Sequence, residues 1–380
     1  MTDILCLKDS LSSCRSCKSR ALEVYSSRKN FPLYIWPLEK TENTPLNDIN
    51  VFICSDCGYL QLQDMNEETI SQIYRDEAFN IENFEQKIER LELLQKRDKK
   101  KFKDSKCLEI GGGRNPFLKT LSKDAEKWVA DFSIDEEVKS EVDGVFIGDF
   151  LDIKINQNDF DYIFLFHALE HFNNPSSAIE KAKNLLTKNG SIIIEVPNFE
   201  YESKYRPDYT IFHMHISLFT LTSLKAFMKR HGFSCQNAYK NDEVILAEFN
   251  ISVPTHAENH FEQSLKFLKD NDLNIKKCAN ALENIINKIS DEKIAIFGGG
   301  GATTLFLYNH SFLMEKISCA LDNDNSKEGR FLCNGKIPII KPSNLKTMEI
   351  KHIIFLDKSH IKHINEKSIN FINVGSFYES

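Results

Sequence analysis

Apolar and polar positions change their rhythm several times along the chain. Residues 1–65 show little periodicity and carry Pro32, Pro37 and Pro45, so this stretch is short of core. Residues 66–104 read as polar helices, with Phe84, Ile88, Leu91 and Leu94 spaced along one helical face. From Lys106 onward, short apolar runs alternate with helix-like segments. The predicted strands are 107–110, 127–132, 144–150, 161–167 and 191–198, and a helix is predicted over Ala178–Leu186, ended by Asn189-Gly190. Strands that are nearly continuous apolar runs imply a parallel sheet covered on both faces. Residues 255–290 read as helices again, and a second alternating block starts with KIAIFGGGG at 293–301. Its later strands are predicted at 317–323, 337–340, 352–356 and 371–374.

Composition narrows this to an α/β chain of two or three domains. The 380 residues are 41% hydrophobic and 27% charged, and no apolar stretch reaches the roughly 20 residues of a membrane-spanning helix. The first residues lack the basic start and apolar run of a signal peptide. A net charge of −7 argues against a nucleic-acid partner. The basic run from Lys96 to Lys103 ends a predicted helix, where cations complement the helix dipole. Cys6, Cys107, Cys235, Cys278, Cys319 and Cys333 are scattered singly, several within apolar runs, as reduced thiols of a cytoplasmic protein would be. No membrane partner is expected.

The first strand of the central block ends in Glu109-Ile110-Gly111-Gly112-Gly113. Glycines at a strand-to-helix turn let the backbone approach a ligand closely. Eighteen residues after Gly113 comes Asp131, near the end of the next strand, where an acidic side chain accepts hydrogen bonds from a ribose diol. Another kind of α/β protein could also carry such a turn. Glu109, however, suits the sulfonium and amino-acid tail of S-adenosylmethionine better than it suits a pyrophosphate. The segment resembles motif I of class I methyltransferases. The resemblance extends to Gly148-Asp149-Phe150, where those enzymes contact adenine, to the strand ending Phe166-His167, to Leu169-Glu170-His171, and to Glu195-Val196-Pro197-Asn198. It implies a cofactor site of Glu109, Gly111, Gly113, Asp131, Asp149, Phe150, Phe166 and His167.

Two cysteine pairs remain, Cys14-Arg-Ser-Cys17 and Cys54-Ser-Asp-Cys57, followed by Gly58. Their spacing suits one tetrahedral zinc ion, with redox or incidental thiols as the alternative. Four sulfur ligands leave no position for water, so such a zinc is structural, and a block this poor in core needs it to fold.

The whole chain resembles the three-domain sugar C-methyltransferases that act on nucleotide-linked deoxyketosugars. The residues that carry this are the cysteine pairs with Gly58-Tyr59-Leu60-Gln61, then Phe297-Gly298-Gly299-Gly300, Leu321-Asp322-Asn323-Asp324, Lys327-Glu328-Gly329-Arg330 and Ile337-Pro338-Ile339. The resemblance implies a zinc-binding domain at 1–65, a helical linker at 66–104 and a doubly wound, Rossmann-like methyltransferase domain at 105–252. A second linker at 253–290 and a Rossmann-like C-terminal domain at 291–380, which serves the sugar substrate, complete it. Four consecutive glycines at Gly298–Gly301 depart from the dinucleotide spacing, so NAD is not expected there.

Two positions depart from that family. Phe212-His213-Met214-His215-Ile216-Ser217 places Met214 where the family has a carboxylate, and the stretch Tyr74–Phe79 ends in Phe79 where the family has a tyrosine. Methyl transfer needs aligned reactants and a group that removes a proton. His215 is the first candidate for that base, His213 and His167 are lesser ones, and a structural role for His215 is the alternative. His171 is read as the start of a helix. The expected activity is methyl transfer from S-adenosylmethionine to a sugar. Transfer to oxygen or nitrogen, or a non-catalytic binding scaffold, are the other readings.

Overall fold

The computed structural model describes residues 11–40, 42–66, 68–69, 73, 84–96, 98–289, 292–357, 361 and 369–378. Its contacts divide the chain into two units, neither continuous in sequence. The first comprises Met1–Tyr25, Val51–Asn198 and Met214–Ser264; the second comprises Ser26–Asn50, Phe199–His213 and Leu265–Ser380. The units therefore differ from the consecutive segments read along the chain: residues 26–50 and 199–213 pack with the C-terminal part.

Strand β1 (Leu22–Pro32), which belongs to the first unit only as far as Tyr25, follows the first cysteine pair. Strand β2 (Leu46–Cys54) pairs antiparallel with β3 (Leu60–Leu62) through Val51–Leu62 and Ile53–Leu60. Helix α1 (Phe84–Leu94) comes next. The central sheet then begins with β4 (Lys106–Ile110), β5 (Glu126–Asp131), β6 (Gly144–Ile147) and β7 (Phe160–Phe166). It continues through helix α2 (Pro175–Leu185) to β8 (Leu186–Pro197). After the two-residue β9 (Ser217–Leu218) and helix α3 (Leu221–Arg230) come β10 (Phe233–Lys240) and β11 (Val244–Ile251).

The seven strands lie in the order β10-β11-β8-β7-β4-β5-β6. All pairs are parallel except those made by β11, which runs antiparallel between β10 and β8. Alternation along each strand explains the unbroken apolar runs. Ile163 and Leu165 face one core with Leu108, Ile192 and Ile194, whereas Phe164 and Phe166 face the other with Val129 and Ile193. Each such side chain contributes about 1.5–3 kcal/mol on burial.

Helix α2 begins three residues before the predicted start, because Asn174 caps it by accepting from the Ser177 N–H at 3.2 Å and Pro175 occupies its first turn. The strand predicted at 144–150 stops at Ile147, since Gly148 adopts φ +136°.

In the second unit, helix α4 (Phe261–Ile286), which belongs to it from Leu265, precedes a six-stranded sheet. Strand β12 (Lys293–Phe297) leads through helix α5 (Gly301–Asn309) to β13 (Ile317–Leu321), β14 (Phe331–Leu332), β15 (Ile337–Ile340), β16 (Ile350–Phe355) and β17 (Asn370–Asn373). The order is β14-β15-β13-β12-β16-β17, parallel except for the short β14, which the apolar pattern does not reveal. Ile294, Ile296 and Ile354 fill one face, and Ala295, Phe297 and Phe355 the other. Among the described residues no helix is long and apolar enough to cross a membrane.

Candidate functional site

The order of the first unit's sheet reverses between β4 and its neighbours β5 and β7, the place where ligands bind in open α/β sheets. Gly111 follows β4 with φ +90° and donates its N–H to the Ala130 carbonyl at 2.9 Å. A Cβ on Gly113 would lie 1.9 Å from the Ser133 carbonyl oxygen. The turn's own packing therefore demands glycine at these positions, before any ligand is considered.

Glu109 has a role the sequence did not suggest. Its carboxylate is only 5% exposed and accepts the N–H groups of Phe117 and Leu118, both at 3.0 Å. Burial pushes its carboxyl above the ordinary range, against those two bonds. Those two bonds pin the turn.

Asp131 ends β5 and accepts from the N–H of Gly113 at 2.7 Å and of Phe132 at 2.6 Å. Burial raises its carboxyl, and backbone N–H bonds oppose that rise. A carboxylate has about four acceptor sites, so capacity remains for ribose hydroxyls. Beside it in register, Ile147 is 52% exposed at the end of β6, an apolar surface that the face of a base would cover. Together these residues fit an adenosyl ligand.

Phe150 does not line such a surface. It is buried, edge-on to Phe172, and its carbonyl takes a bond from Lys181 Nζ at 2.6 Å. Asp149 accepts the Leu151 N–H at 2.8 Å.

A charged cluster lies beyond the carboxyl ends of β7 and β8. Arg90 of α1 sits over the Phe166 ring at 4.3 Å and makes a two-pronged ion pair with Glu195, whose Oε2 is 2.9 Å from Arg90 Nε. Burial opposes ionisation of Glu195, but His167 and Arg90 outweigh it and hold the carboxyl at about 2. His167, at φ +49°, lies 3.2 Å from Glu195 and 3.5 Å from Glu170. Burial disfavours its charge, yet the two carboxylates lift it well above the ordinary value.

Glu170 is 1% exposed, and neither carboxylate oxygen has a hydrogen-bond partner of good geometry. Oxygen and nitrogen atoms of Glu170, His171 and His215 lie within 4.8 Å of one another. His171 Nδ1 donates to the Met214 carbonyl at 2.7 Å, and its ring stands 5.2 Å from that of His215. Burial, and then the neighbouring His171, lowers His215 to about 3.

The position occupied by Met214 thus contributes a backbone carbonyl, while its side chain is 3% exposed in the core. His171 and Glu170, read as a helix start, stand beside the candidate base. The Leu169-Glu170-His171 motif was the signal for them; nothing in the sequence pointed to Arg90.

His213 belongs to the second unit, where it is 3% exposed with Nε2 3.3 Å from the Phe31 carbonyl, and burial lowers it to about 4. That is a packing role. Tyr74 and Phe79 lie outside the described residues.

The sulfurs of Cys14, Cys17, Cys54 and Cys57 converge within 4.8 Å, with Cys14–Cys57 at 3.7 Å and Cys17–Cys54 at 3.6 Å. A tetrahedron with zinc–sulfur bonds of about 2.3 Å has edges of about 3.8 Å, so the donor set fits that ion. The knuckle needs Gly58: its φ is +79°, and a Cβ would meet the His260 backbone at 2.5 Å.

Comparison with known proteins agrees with this geometry. Residues 77–238 match the family model described as a methyltransferase domain, and residues 246–378 match one described as a C-methyltransferase C-terminal domain. Both descriptions are of parts of methyltransferases. More particularly, the chain carries a class I methyltransferase domain followed by a C-methyltransferase C-terminal domain.

One curated relative, the flavodoxin-like domain-containing protein BilS of Clostridioides difficile (strain CD3), is 39% identical over 80 residues, 21% of this chain. The chain spans 43% of that relative's length. Similar solved structures include a protein of Pyrococcus horikoshii OT3, with 19% identity over 46% of this chain and 93% of that one, at a TM-score of 0.39. Another is an S-adenosylmethionine-dependent methyltransferase of Clostridium acetobutylicum ATCC 824, with 11% identity over 45% and 93%, at 0.36.

Proposed function

We propose that the protein transfers a methyl group from S-adenosylmethionine to a sugar, a nucleotide-linked deoxysugar, with His215 as the general base. The observation that carries this reading is the placement of His215 within 4.8 Å of the buried Glu170 carboxylate and of His171. When bound, the cofactor supplies a methyl group on a sulfonium, a leaving group that needs no acid. The chain's own residues then have two tasks, alignment and proton removal. Asp131 and the backbone of the Gly111–Gly113 turn hold the adenosyl part. A proton taken by His215 makes an imidazolium that burial disfavours and that the Glu170 carboxylate partly offsets. His171 is oriented for its part by the bond to the Met214 carbonyl.

The sugar acceptor is supported by the resemblance of the whole chain. Transfer to oxygen or nitrogen is the second reading, favoured by the apolar Met214 at the position of a family carboxylate. Zinc at Cys14, Cys17, Cys54 and Cys57 is part of the proposal, as a structural ion. The test is mass spectrometry of nucleotide-linked sugars after incubation with the protein and labelled S-adenosylmethionine. A mass gain of one methyl on such a sugar is expected. Labelled cofactor consumed on no sugar acceptor overturns the substrate assignment.

A further inference from the structure

In the second unit, four side chains that the proposed reaction does not use meet in the core. Asp208 lies in the short turn Pro207–Tyr209, Cys278 on α4, His310 at the C-terminal end of α5, and Tyr378 near the end of the chain. Their exposures are 6%, 0%, 1% and 8%. Asp208 Oδ1 is 3.1 Å from His310 Nε2, and the Tyr378 hydroxyl donates to Asp208 Oδ2. The carboxylate oxygen, the thiol sulfur and the imidazole nitrogen all lie within 4.8 Å of one another.

The plain alternative is an Asp–His–Tyr network that merely holds the core together. Two observations weigh against it. Neither ring nitrogen of His310 nor Asp208 Oδ1 has a hydrogen bond of acceptable geometry, although all are buried. Each buried polar atom left in that state costs about 1–3 kcal/mol, and a buried carboxylate without proper compensation costs more. The second observation is the donor set. A carboxylate oxygen, an imidazole nitrogen and a cysteine sulfur are the three ligand types that zinc accepts.

The surroundings are otherwise apolar: Leu282, Phe306, Leu307 and Leu313 belong to the same core cluster as Cys278 and Tyr378. The donors are also held in place. Asn271 Nδ2 binds the Pro207 carbonyl at 3.0 Å and Thr210 Oγ1 at 2.8 Å, and Asn309 Nδ2 binds the Asp208 carbonyl at 3.2 Å.

We propose that Asp208, Cys278 and His310 bind a zinc ion, with the Tyr378 hydroxyl, which reaches both Asp208 and Cys278, orienting these two donors. The ion accepts one lone pair from each donor. Binding breaks the Cys278 S–H bond and releases its proton to solvent, and no electron is exchanged. Three protein ligands leave one tetrahedral position for a water molecule. The ion ties the turn at Asp208 to α4 and α5, segments distant in sequence, as an outer hydrogen-bonded partner such as Tyr378 would support.

The test compares full-length wild type with Cys278→Ser and His310→Gln, each incubated with zinc and then dialysed. Metal content is measured by mass spectrometry and folding by circular dichroism. Wild type should hold one zinc equivalent more than either variant, whatever the four-cysteine site contributes to both. Chelation should lower the melting temperature of wild type more than that of the variants. If either variant fails to fold, Asp208→Asn, which keeps the shape and the Tyr378 partner, is read in its place. Equal zinc content in wild type and folded variants overturns the proposal.

Discussion

The two glycine turns, Gly111–Gly113 in the first unit and Gly298–Gly301 in the second, solve one backbone problem with different groups around them. In each, the first glycine has positive φ (+90° and +111°) and donates to a carbonyl near the end of the next strand. In each, an aspartate ending or following that strand accepts from a glycine N–H: Gly113 to Asp131 at 2.7 Å, and Gly299 to Asp322 at 2.8 Å. The surroundings then diverge. The first turn passes through Arg114-Asn115-Pro116 into a short 3₁₀ turn pinned by Glu109. The second leads straight into the nine-residue α5, and Lys327 Nζ lies 3.0 Å from Asp322. An acid with spare acceptor capacity suits hydroxyls, whereas a helix N-terminus with a lysine beside it suits an anion. Shared backbone geometry thus says little about the ligand; the charges around it say more.

The largest expected effect touches neither turn. His215→Asn should lower turnover by about 100- to 10,000-fold with adenosylhomocysteine affinity unchanged. Because His215 is held near 3, it stays an unprotonated base until the pH falls toward that value. The rate should therefore lack an imidazole limb near pH 6.5. Near-normal turnover would leave both turns as binding devices around a base still to be found.

Asp131→Ala comes next, removing charge-assisted bonds worth about 1.5–3 kcal/mol. Calorimetry should show adenosylhomocysteine bound roughly tenfold to 150-fold more weakly, and Asp322→Ala should bind it like wild type. Equal losses in the two variants would erase the distinction between the turns.

Lys327→Gln should have the smallest effect. The pair is partly exposed and worth about 0–1 kcal/mol. Binding of a nucleoside diphosphate should weaken roughly two- to fivefold at low salt, and the difference should fade as salt rises. A loss that persists at high salt would mean that the lysine shapes the turn rather than attracting an anion.

Much of the central sheet was legible because its strands are buried on both faces and show it in unbroken apolar runs such as 161–167. The cysteine pairs were legible for a different reason: a fixed spacing encodes a local hairpin. The backbone bonds of Glu109 were not legible because its position in the motif is local, while the N–H groups it serves belong to a turn formed eight residues later. Arg90 was missed because a cation on a polar helix looks solvated until a distant Glu195 is folded against it. The segments 26–50 and 199–213 carry no mark of the unit they join, since that membership rests on contacts with residues beyond 264.

This interleaving bears on the order of synthesis. Phe31, Leu33 and Ile49 are buried in the finished protein, yet their segment belongs to a unit whose remaining parts emerge last. A ribosome adds roughly 5–20 residues per second, so these apolar side chains wait about a quarter of a minute to a minute for their packing partners. During that interval the nascent chain carries sticky surface in residues 26–50. Chaperone dependence should accordingly be set by translation speed through the C-terminal third more than by the stability of the completed fold.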